Sequence, residues 1–437
     1  MSPRLASLIT RGLDPQTLIT GARVAHHILE LRRHQRLPIQ ALRQIQLHRL
    51  RALLDYAYAN VAYYQRLFDA AGFKPEDLRE LCDLRAIPIT TKADVRDNPD
   101  AFLSGAIRSS RQRSSFTSGS TGIPLHVVKD ARAHAYSIAL KAYAFTECGV
   151  RPTDRFVTVA QSEGSVWPRH SIIPPSSDTA WIIAQLRRAR PEVLYTYPSL
   201  LARLADRDVS GIQPRLIFSQ GITLTQHCRN ISRSLFGTDP LDTYGSVEFS
   251  RLAFECQEHS GLHIITDGAV VEFVRDGEPV SSGEPGDVVV TGLHNFAMPL
   301  IRYRLDDVAI PSDDDCSCGR GWPLIKNIEG RIMEYLIMPS GQKIFPGFIY
   351  YAVNSETAQH VRCIAQFQVV QVERNKLRLS VVRGPNFDQE IIARIKDKME
   401  RSMLELGENV TVEAEVVPEI PPEKSGKTKI VLSNVQE

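Results

Sequence analysis

The sequence predicts an α/β protein, a large layered N-terminal body followed by a small α+β C-terminal domain. Three observations carry this. The chain has 437 residues, enough for two or three domains and a sizeable core. From about residue 115 to about 330, short apolar strands alternate with helical stretches. Beyond Gly330-Arg331 the pattern changes to a hairpin, an amphipathic helix and a further strand. That leaves about 105 residues, enough for an independent domain. The expected divisions are therefore 1–44, 45–330 and 331–437.

Residues 1–44 read as a basic helical segment. Nine arginines fall within residues 1–51, against only Asp14 and Glu30. Such a segment suits an anionic surface, a membrane or an acidic partner, or else a solvated helical face. From Leu42 to Phe68 apolar residues recur at helical spacing, with Leu47, Leu50, Leu54 and Tyr58 on one side. Pro75 and Pro88 punctuate the next stretch. In the body, 156–159 and 216–219 read as strands and 200–205 as helix. Residues 270–274 and 287–291 form a small β region with a turn at Gly283-Glu284-Pro285-Gly286. In the last domain, 367–373 and 377–382 form a hairpin around Asn375-Lys376, 391–404 is amphipathic, and 410–417 is a strand.

Composition excludes several classes. Apolar content is 43% and charged content 23%, ordinary for a soluble globular protein. No apolar run approaches bilayer length, so no transmembrane segment is expected, and the first residues lack a secretory apolar core. A cytoplasmic location is the expectation. Net charge is +2, from 52 basic and 50 acidic residues, which argues against a global nucleic-acid-binding role. Seven cysteines without a regular framework do not suggest a disulfide scaffold.

The most informative stretch is Thr117-Ser118-Gly119-Ser120-Thr121-Gly122-Ile123-Pro124. Glycines without a Cβ let backbone N–H groups turn toward an anion, and the hydroxyls add donors for phosphate oxygens. No lysine follows the second glycine, so this is not the GxxxxGK[ST] P-loop.

Further motifs come in order: Asp242-Thr243-Tyr244-Gly245-Ser246-Val247-Glu248, Ile301-Arg302-Tyr303-Arg304-Leu305-Asp306-Asp307-Val308, Gly330-Arg331 and Ser425-Gly426-Lys427. The set resembles the adenylate-forming superfamily of acyl-CoA synthetases, luciferases and peptide-synthetase adenylation domains. Within it the chain looks like the phenylacetate–coenzyme A ligase branch and the shorter proteins of capsule-biosynthesis loci. The runs Met298-Pro299-Leu300-Ile301-Arg302-Tyr303 and Cys316-Ser317-Cys318-Gly319-Arg320 carry that narrower match, with Tyr63-Tyr64 and Pro88-Ile89-Thr90-Thr91-Lys92. The resemblance covers about residues 45–432 and implies an adenylating body with a small mobile C-terminal lid.

The resemblance implies a role for each matching residue. Thr117, Ser118, Gly119, Ser120, Thr121 and Gly122 would bind the ATP phosphates. Tyr244, with Gly245 and Ser246, would receive the adenine on an aromatic face, and Glu248 would hold Mg2+. Asp307 would accept from both ribose hydroxyls, and Arg331 would contact the same ribose. Lys427 would swing in to bridge the α-phosphate and the substrate carboxylate, a task suited to a mobile point charge; Lys424 and Lys429 are nearby rivals. Leu125 stands where most of the superfamily has a lysine, Asp306 where it has glycine, and Met333 where it has the hinge acid or lysine. Asp306 and Asp307 could therefore share or exchange roles.

The implied reaction is ATP-dependent activation of a carboxylic acid to an acyl-adenylate, then transfer to a thiol, with coenzyme A the expected acceptor. A carrier-protein thiol or an amine serves equally well chemically, in polysaccharide or natural-product assembly, and an inactive nucleotide-binding scaffold is the reading from another class. The acid pocket is expected at Tyr136, Tyr195, Tyr197, Phe218, Ser219, Gln220, Gly221 and Ile222, where aromatic lining suits an aryl acid slightly better than an aliphatic one. Trp167 and His170 lie in a loop that could border it. Expected partners are the small-molecule acid and the thiol, with homodimerisation open.

Cys256, His263, Cys316 and Cys318 form a Cys₃His set, a common structural zinc shell. His259 rivals His263. Cys256 follows Glu248 and Cys316 follows Asp307 closely, so a zinc there would clamp the two nucleotide-binding loops together. Cys82, Cys148, Cys228 and Cys363 read as core residues.

Overall fold

The computed structural model describes residues 15–107, 112–116, 125–160, 167–174, 178–331, 336–344, 347–357, 360, 363–422 and 428–435. The chain starts with α1 (Pro15–His34), and the apolar periodicity after it resolves into two helices, α2 (Ile39–Asn60) and α3 (Ala62–Ala71). The break is at Val61, which takes φ −126°, ψ 110° although no glycine or proline marks it. α1 is not a loose basic arm. Leu31 is buried with Leu42, Tyr143 and Trp322. Arg32 donates to Glu147 (3.0 Å), Arg36 to the Cys318 carbonyl (2.8 Å) and Arg49 to Glu30 (2.6 Å) and Asp267 (3.2 Å). Arg32 and Arg49 thus meet carboxylates within the fold. α4 (Lys92–Asp97) begins with a reciprocal cap between Thr91 and Asp94.

β1 (Gln112–Phe116) and β2 (His126–Asp130) pair antiparallel on either side of the glycine-rich stretch. Asp130 then caps α5 (Ala131–Glu147), accepting from the N–H groups of Arg132 and Ala133. The main layer continues as β3 (Phe156–Val159), β4 (His170–Ile173), α6 (Thr179–Ala189), β5 (Val193–Thr196), α7 (Pro198–Arg203), β6 (Leu216–Gln220), α8 (Gln226–Phe236) and β7 (Leu241–Ser246). These strands run parallel in the order β4-β3-β5-β6-β7. Successive residues face opposite sides. Phe156 and Phe218 pack toward α5 with Tyr143 and Phe145, whereas Val157 and Ile217 pack toward α6 and α7 with Leu186 and Leu201.

At β7 the sheet changes character. β8 (Ser250–Glu255) turns back antiparallel, followed by β9 (Leu262–Ile264), β10 (Ala269–Arg275), β11 (Glu278–Pro279), β12 (Gly286–Gly292), β13 (Tyr303–Ser312) and β14 (Leu324–Arg331). The result is one 12-stranded sheet, β11-β10-β12-β13-β14-β9-β8-β7-β6-β5-β3-β4. The predicted small β region is its antiparallel β10–β12 portion.

The last domain comprises β15 (Leu336–Ile337), β16 (Lys343–Ile344), α9 (Gly347–Thr357), β17 (Ile364–Glu373), β18 (Lys376–Arg383), α10 (Gln389–Glu405), β19 (Thr411–Val417) and β20 (Val431–Ser433). It has its own sheet, β19-β18-β17-β20, and its own core around Val369, Leu379, Ile395 and Met399. It meets the body along a narrow seam where Ala205 and Ile231 bury Ala365, and where His227 lies against Phe367 and the backbone of Ala365 and Ile364. Burial pushes the His227 imidazole down to about 4.

Cys148, Cys228 and Cys363 are buried as expected, but Cys82 is exposed beside Glu80 and is not a core residue. Among the described residues no helix is long and apolar enough to cross a membrane.

Candidate active site at the carboxyl ends of the parallel strands

Ligands of α/β sheets collect at the carboxyl ends of parallel strands. Here those ends carry Tyr197, Gln220-Gly221 and Tyr244–Glu248, so motifs far apart in sequence share one rim. The β7–β8 turn is tight by necessity. A Cβ on Gly245 would lie 1.9 Å from the Ser250 carbonyl oxygen, so only glycine fits. The Phe249 N–H donates to Ser246 Oγ (3.3 Å), closing the turn. Thr243 Oγ1 donates to the Ser219 carbonyl (2.5 Å), tying β7 to β6.

The Tyr244 hydroxyl donates to Asp307 Oδ2 (2.8 Å), joining two motifs across the sheet. Asp307 is the register partner of Arg331 on β14, so the two expected ribose contacts are neighbours. Asp306 takes φ +60°, the left-handed region that glycine adopts most readily and aspartate tolerates. A position where the resemblance implies glycine thus has a backbone suited to glycine while carrying an acid. Glu248 Oε1 accepts from the Tyr303 hydroxyl (3.4 Å). Burial raises the Tyr303 phenol well above its ordinary value, with Glu248 adding to the effect, so it stays protonated and donates.

Lys129 is a residue that sequence reasoning misses. Its Nζ donates to the Val247 carbonyl (2.9 Å) and to Ser137 Oγ (3.3 Å). Burial lowers this ammonium to about 8, helped by Lys141 and opposed by Glu248. Only its place on β2 beside the turn could have flagged it.

The expected acid pocket is placed unevenly. Gln220 and Gly221 stand at the end of β6, Tyr197 is buried at the end of β5, and Ser219 is buried within β6. Tyr136 and Phe218, expected to line the pocket, are instead packed in the core. The Tyr136 ring stacks on His294 with centroids 3.5 Å apart, and Phe218 meets Phe145 edge-on at 4.9 Å. Trp167 Nε1 donates to the Arg151 carbonyl (2.8 Å), and His170 Nε2 bonds Thr158 Oγ1 (2.7 Å). Thr117, Ser118, Gly119, Ser120, Thr121, Gly122, Met333 and Lys427 lie outside the described residues.

Cys256, His263, Cys316 and Cys318 converge, with all four ligand atoms within 4.8 Å of one another. Cys256 Sγ is 3.6 Å from Cys316 Sγ, and Cys318 Sγ is 3.3 Å from His263 Nε2. His259 is not part of the set; its ring bonds Glu255 (3.0 Å) instead. Burial pushes the Cys256 thiol up to about 12, with the neighbouring thiols adding to it, and lowers the His263 imidazole to about 4. Burial also acts to raise Cys318, but hydrogen bonds from Arg320 hold it below its ordinary value.

The chain is 31% identical to phenylacetate-coenzyme A ligase of Escherichia coli (strain K12) over 334 residues, 70% of this chain and 75% of that protein. This chain belongs to the phenylacetate–coenzyme A ligase family. The ligase of that name from Thermus thermophilus is 30% identical over 335 residues, 71% of this chain and 74% of that protein. Protein CapK of Staphylococcus aureus is 22% identical over 419 residues, 90% of this chain and 89% of that protein. Residues 336–434 match the CapK C-terminal domain. In fold the chain is similar to 2-hydroxyisobutyryl-CoA ligase in the postadenylation state, with TM-score 0.77, 21% identity, and 92% and 91% of the two chains covered. The two chains share the fold described above.

Proposed function

We propose that the protein is an AMP-forming acid–thiol ligase. A carboxylate oxygen attacks the α-phosphorus of ATP, and pyrophosphate leaves. A thiol, coenzyme A, then attacks the acyl carbon, releasing AMP and a proton to solvent. The observation that carries the nucleotide assignment is the convergence of Tyr244, Asp307 and Arg331 across β7, β13 and β14. Tyr244 offers its ring to adenine, Asp307 and Arg331 receive the ribose, and Glu248 ligates the Mg2+ that neutralises the phosphates. The glycine-rich residues 117–122 and Lys427 complete the set by family resemblance.

The experiment is pyrophosphate release from ATP and Mg2+ with a library of aryl and aliphatic acids, each with and without coenzyme A. Release with one acid class, and AMP formation only with coenzyme A, is the expected result. Acid-dependent pyrophosphate release without coenzyme A-dependent AMP formation would move the acceptor to a carrier thiol or an amine. Silence across the library, with ATP still bound, would leave a nucleotide-binding scaffold.

We further propose that the Cys₃His cluster holds a structural zinc. Tetrahedral Zn–S bonds of about 2.3 Å place sulfurs about 3.8 Å apart, close to the separation of Cys256 and Cys316. Three soft thiols and one imidazole are the donor set for a closed site. The ion would join the end of β8 to the segment between β13 and β14, behind the nucleotide rim, with no catalytic role.

A further inference from the structure

Buried charges in folded proteins are paired, because an unpaired ion loses hydration with nothing in return. Among the described residues two arginines are buried, Arg302 and Arg251, and the partly buried Arg229 and Arg320 lie nearby. Arg302 pairs with Glu272, Arg229 with Glu255, and Arg320 with Glu147. Arg251 is 5% exposed, yet among the described residues no carboxylate pairs with it. Its guanidinium donates to the Tyr195 hydroxyl (2.9 Å), and its Nε is buried without a partner. The guanidinium lies over two aromatic rings, 5.6 Å from the centre of Phe145 and 5.7 Å from that of Tyr195.

The surroundings add positive charge. Lys141 on α5 feels the charge of Arg251, and Lys129 feels that of Lys141. Glu248 faces Lys129. Arg251 is also well placed for a substrate. It is the second residue of β8, opposite Gly245 and three residues after Glu248, and Tyr195 on β5 is two residues before Tyr197. A planar guanidinium with an unused donor between aromatic walls matches a planar, anionic oxygen group.

We propose that Arg251 receives a second carboxylate on the acid substrate, remote from the one that is activated, so that the substrate class is a dicarboxylic acid. This rests on the ligase reading above and deepens it. A site built to bind a carboxylate rejects the analogue lacking it, because its own charged donors are then left unpaired.

The test compares matched acids, hexanoate with adipate and phenylacetate with 4-carboxyphenylacetate, by pyrophosphate release in the unaltered protein, Arg251→Met and Arg251→Lys. Thermal melting of each ligand-free protein is the second readout. The unaltered protein is expected to prefer one diacid over its monoacid partner by about 100-fold or more in kcat/KM. Arg251→Met should erase that preference and Arg251→Lys retain part of it. Ligand-free Arg251→Met should melt at or above the unaltered temperature, because a buried charge that no described carboxylate offsets has been removed. Absence of a diacid preference, or its survival in Arg251→Met, overturns the assignment. So does a melting temperature lowered by several degrees with all acids affected alike, which marks a structural arginine. Silence with every acid sinks the ligase reading instead, and the melting result then still decides whether Arg251 awaits an anion.

Discussion

Replacing Gly245 by alanine tests whether the β7–β8 turn sets the geometry of the nucleotide rim. The added Cβ would sit 1.9 Å from the Ser250 carbonyl oxygen, 2.9 Å from its carbon and 3.1 Å from the Arg251 Cα. An unstrained carbon–oxygen contact is about 3.3 Å, so β8 must retreat from β7 by more than about 1 Å, and the atoms in the way are backbone. Overpacking of this kind costs about 1–3 kcal/mol or more. At about 2.1 cal/mol/K of unfolding entropy per residue, a body of roughly 330 residues loses about 1–2 °C per kcal/mol, so a drop of about 2–5 °C is expected. The displacement falls between Tyr244 and Glu248, so turnover should fall by at least tenfold. Melting followed by calorimetry and pyrophosphate release measures both. A variant that melts within 1 °C of the parent and keeps its turnover would refute the close-packing account.

Other perturbations separate the remaining roles. Tyr244→Phe removes the donor to Asp307 and keeps the ring; a charge-assisted hydrogen bond of about 1.5–3 kcal/mol predicts a roughly 10- to 100-fold weaker apparent ATP affinity, and an unchanged value would detach the hydroxyl from nucleotide binding. Glu248→Gln should raise the Mg2+ concentration needed for half-maximal turnover, and an unmoved Mg2+ titration would remove Glu248 from the metal. Elemental analysis should find about one zinc per chain, lost in Cys318→Ala together with several degrees of melting temperature; metal-free protein of full stability would refute the clamp. For His227, burial lowers the folded pKa to about 4 from the usual 6.5 or so, so the unfolded chain binds the proton more tightly. Its stabilisation is complete above about pH 6.5 and is lost as pH falls through about 4, by up to about 3 kcal/mol. His227→Gln should flatten that acid limb in melting curves, and an unchanged limb would place the titration elsewhere.

Much of the fold is legible in the chain because burial writes itself into local pattern. The strands 156–159 and 216–219 are short apolar runs, and the change near Gly330 marks where one sheet ends. The helix break at Val61 is invisible, since valine is compatible with either state and only packing against the body decides. The arginines near the N-terminus look like a solvated or membrane-facing face because their partners, Glu147, Asp267 and Cys318, are more than a hundred residues away. Pocket residues are the hardest to read. Tyr136 and Phe218 share the aromatic character that lines pockets and fills cores alike, and only their neighbours His294 and Phe145 distinguish the two. Arg251 gives no signal at all in sequence, because what singles it out is that, among the described residues, no carboxylate pairs with it.

The corner between α1 and α2 bears on the order in which the molecule assembles. Arg36 reaches the Cys318 carbonyl from 282 residues away. The Gly321 N–H donates to the Gln35 carbonyl (2.9 Å), and a Cβ on Gly321 would lie 2.1 Å from the Leu37 carbonyl oxygen. A loop that long closes slowly, and its contacts form only after its entropy is lost. During synthesis this corner therefore waits until nearly the whole body has emerged, although α2 packs on the neighbouring α3 and α1 packs on α5. The cysteine segment is what the corner docks onto. Docking of this corner would thus be a late step of assembly, and a metal held by the cysteines would steady the segment that receives it.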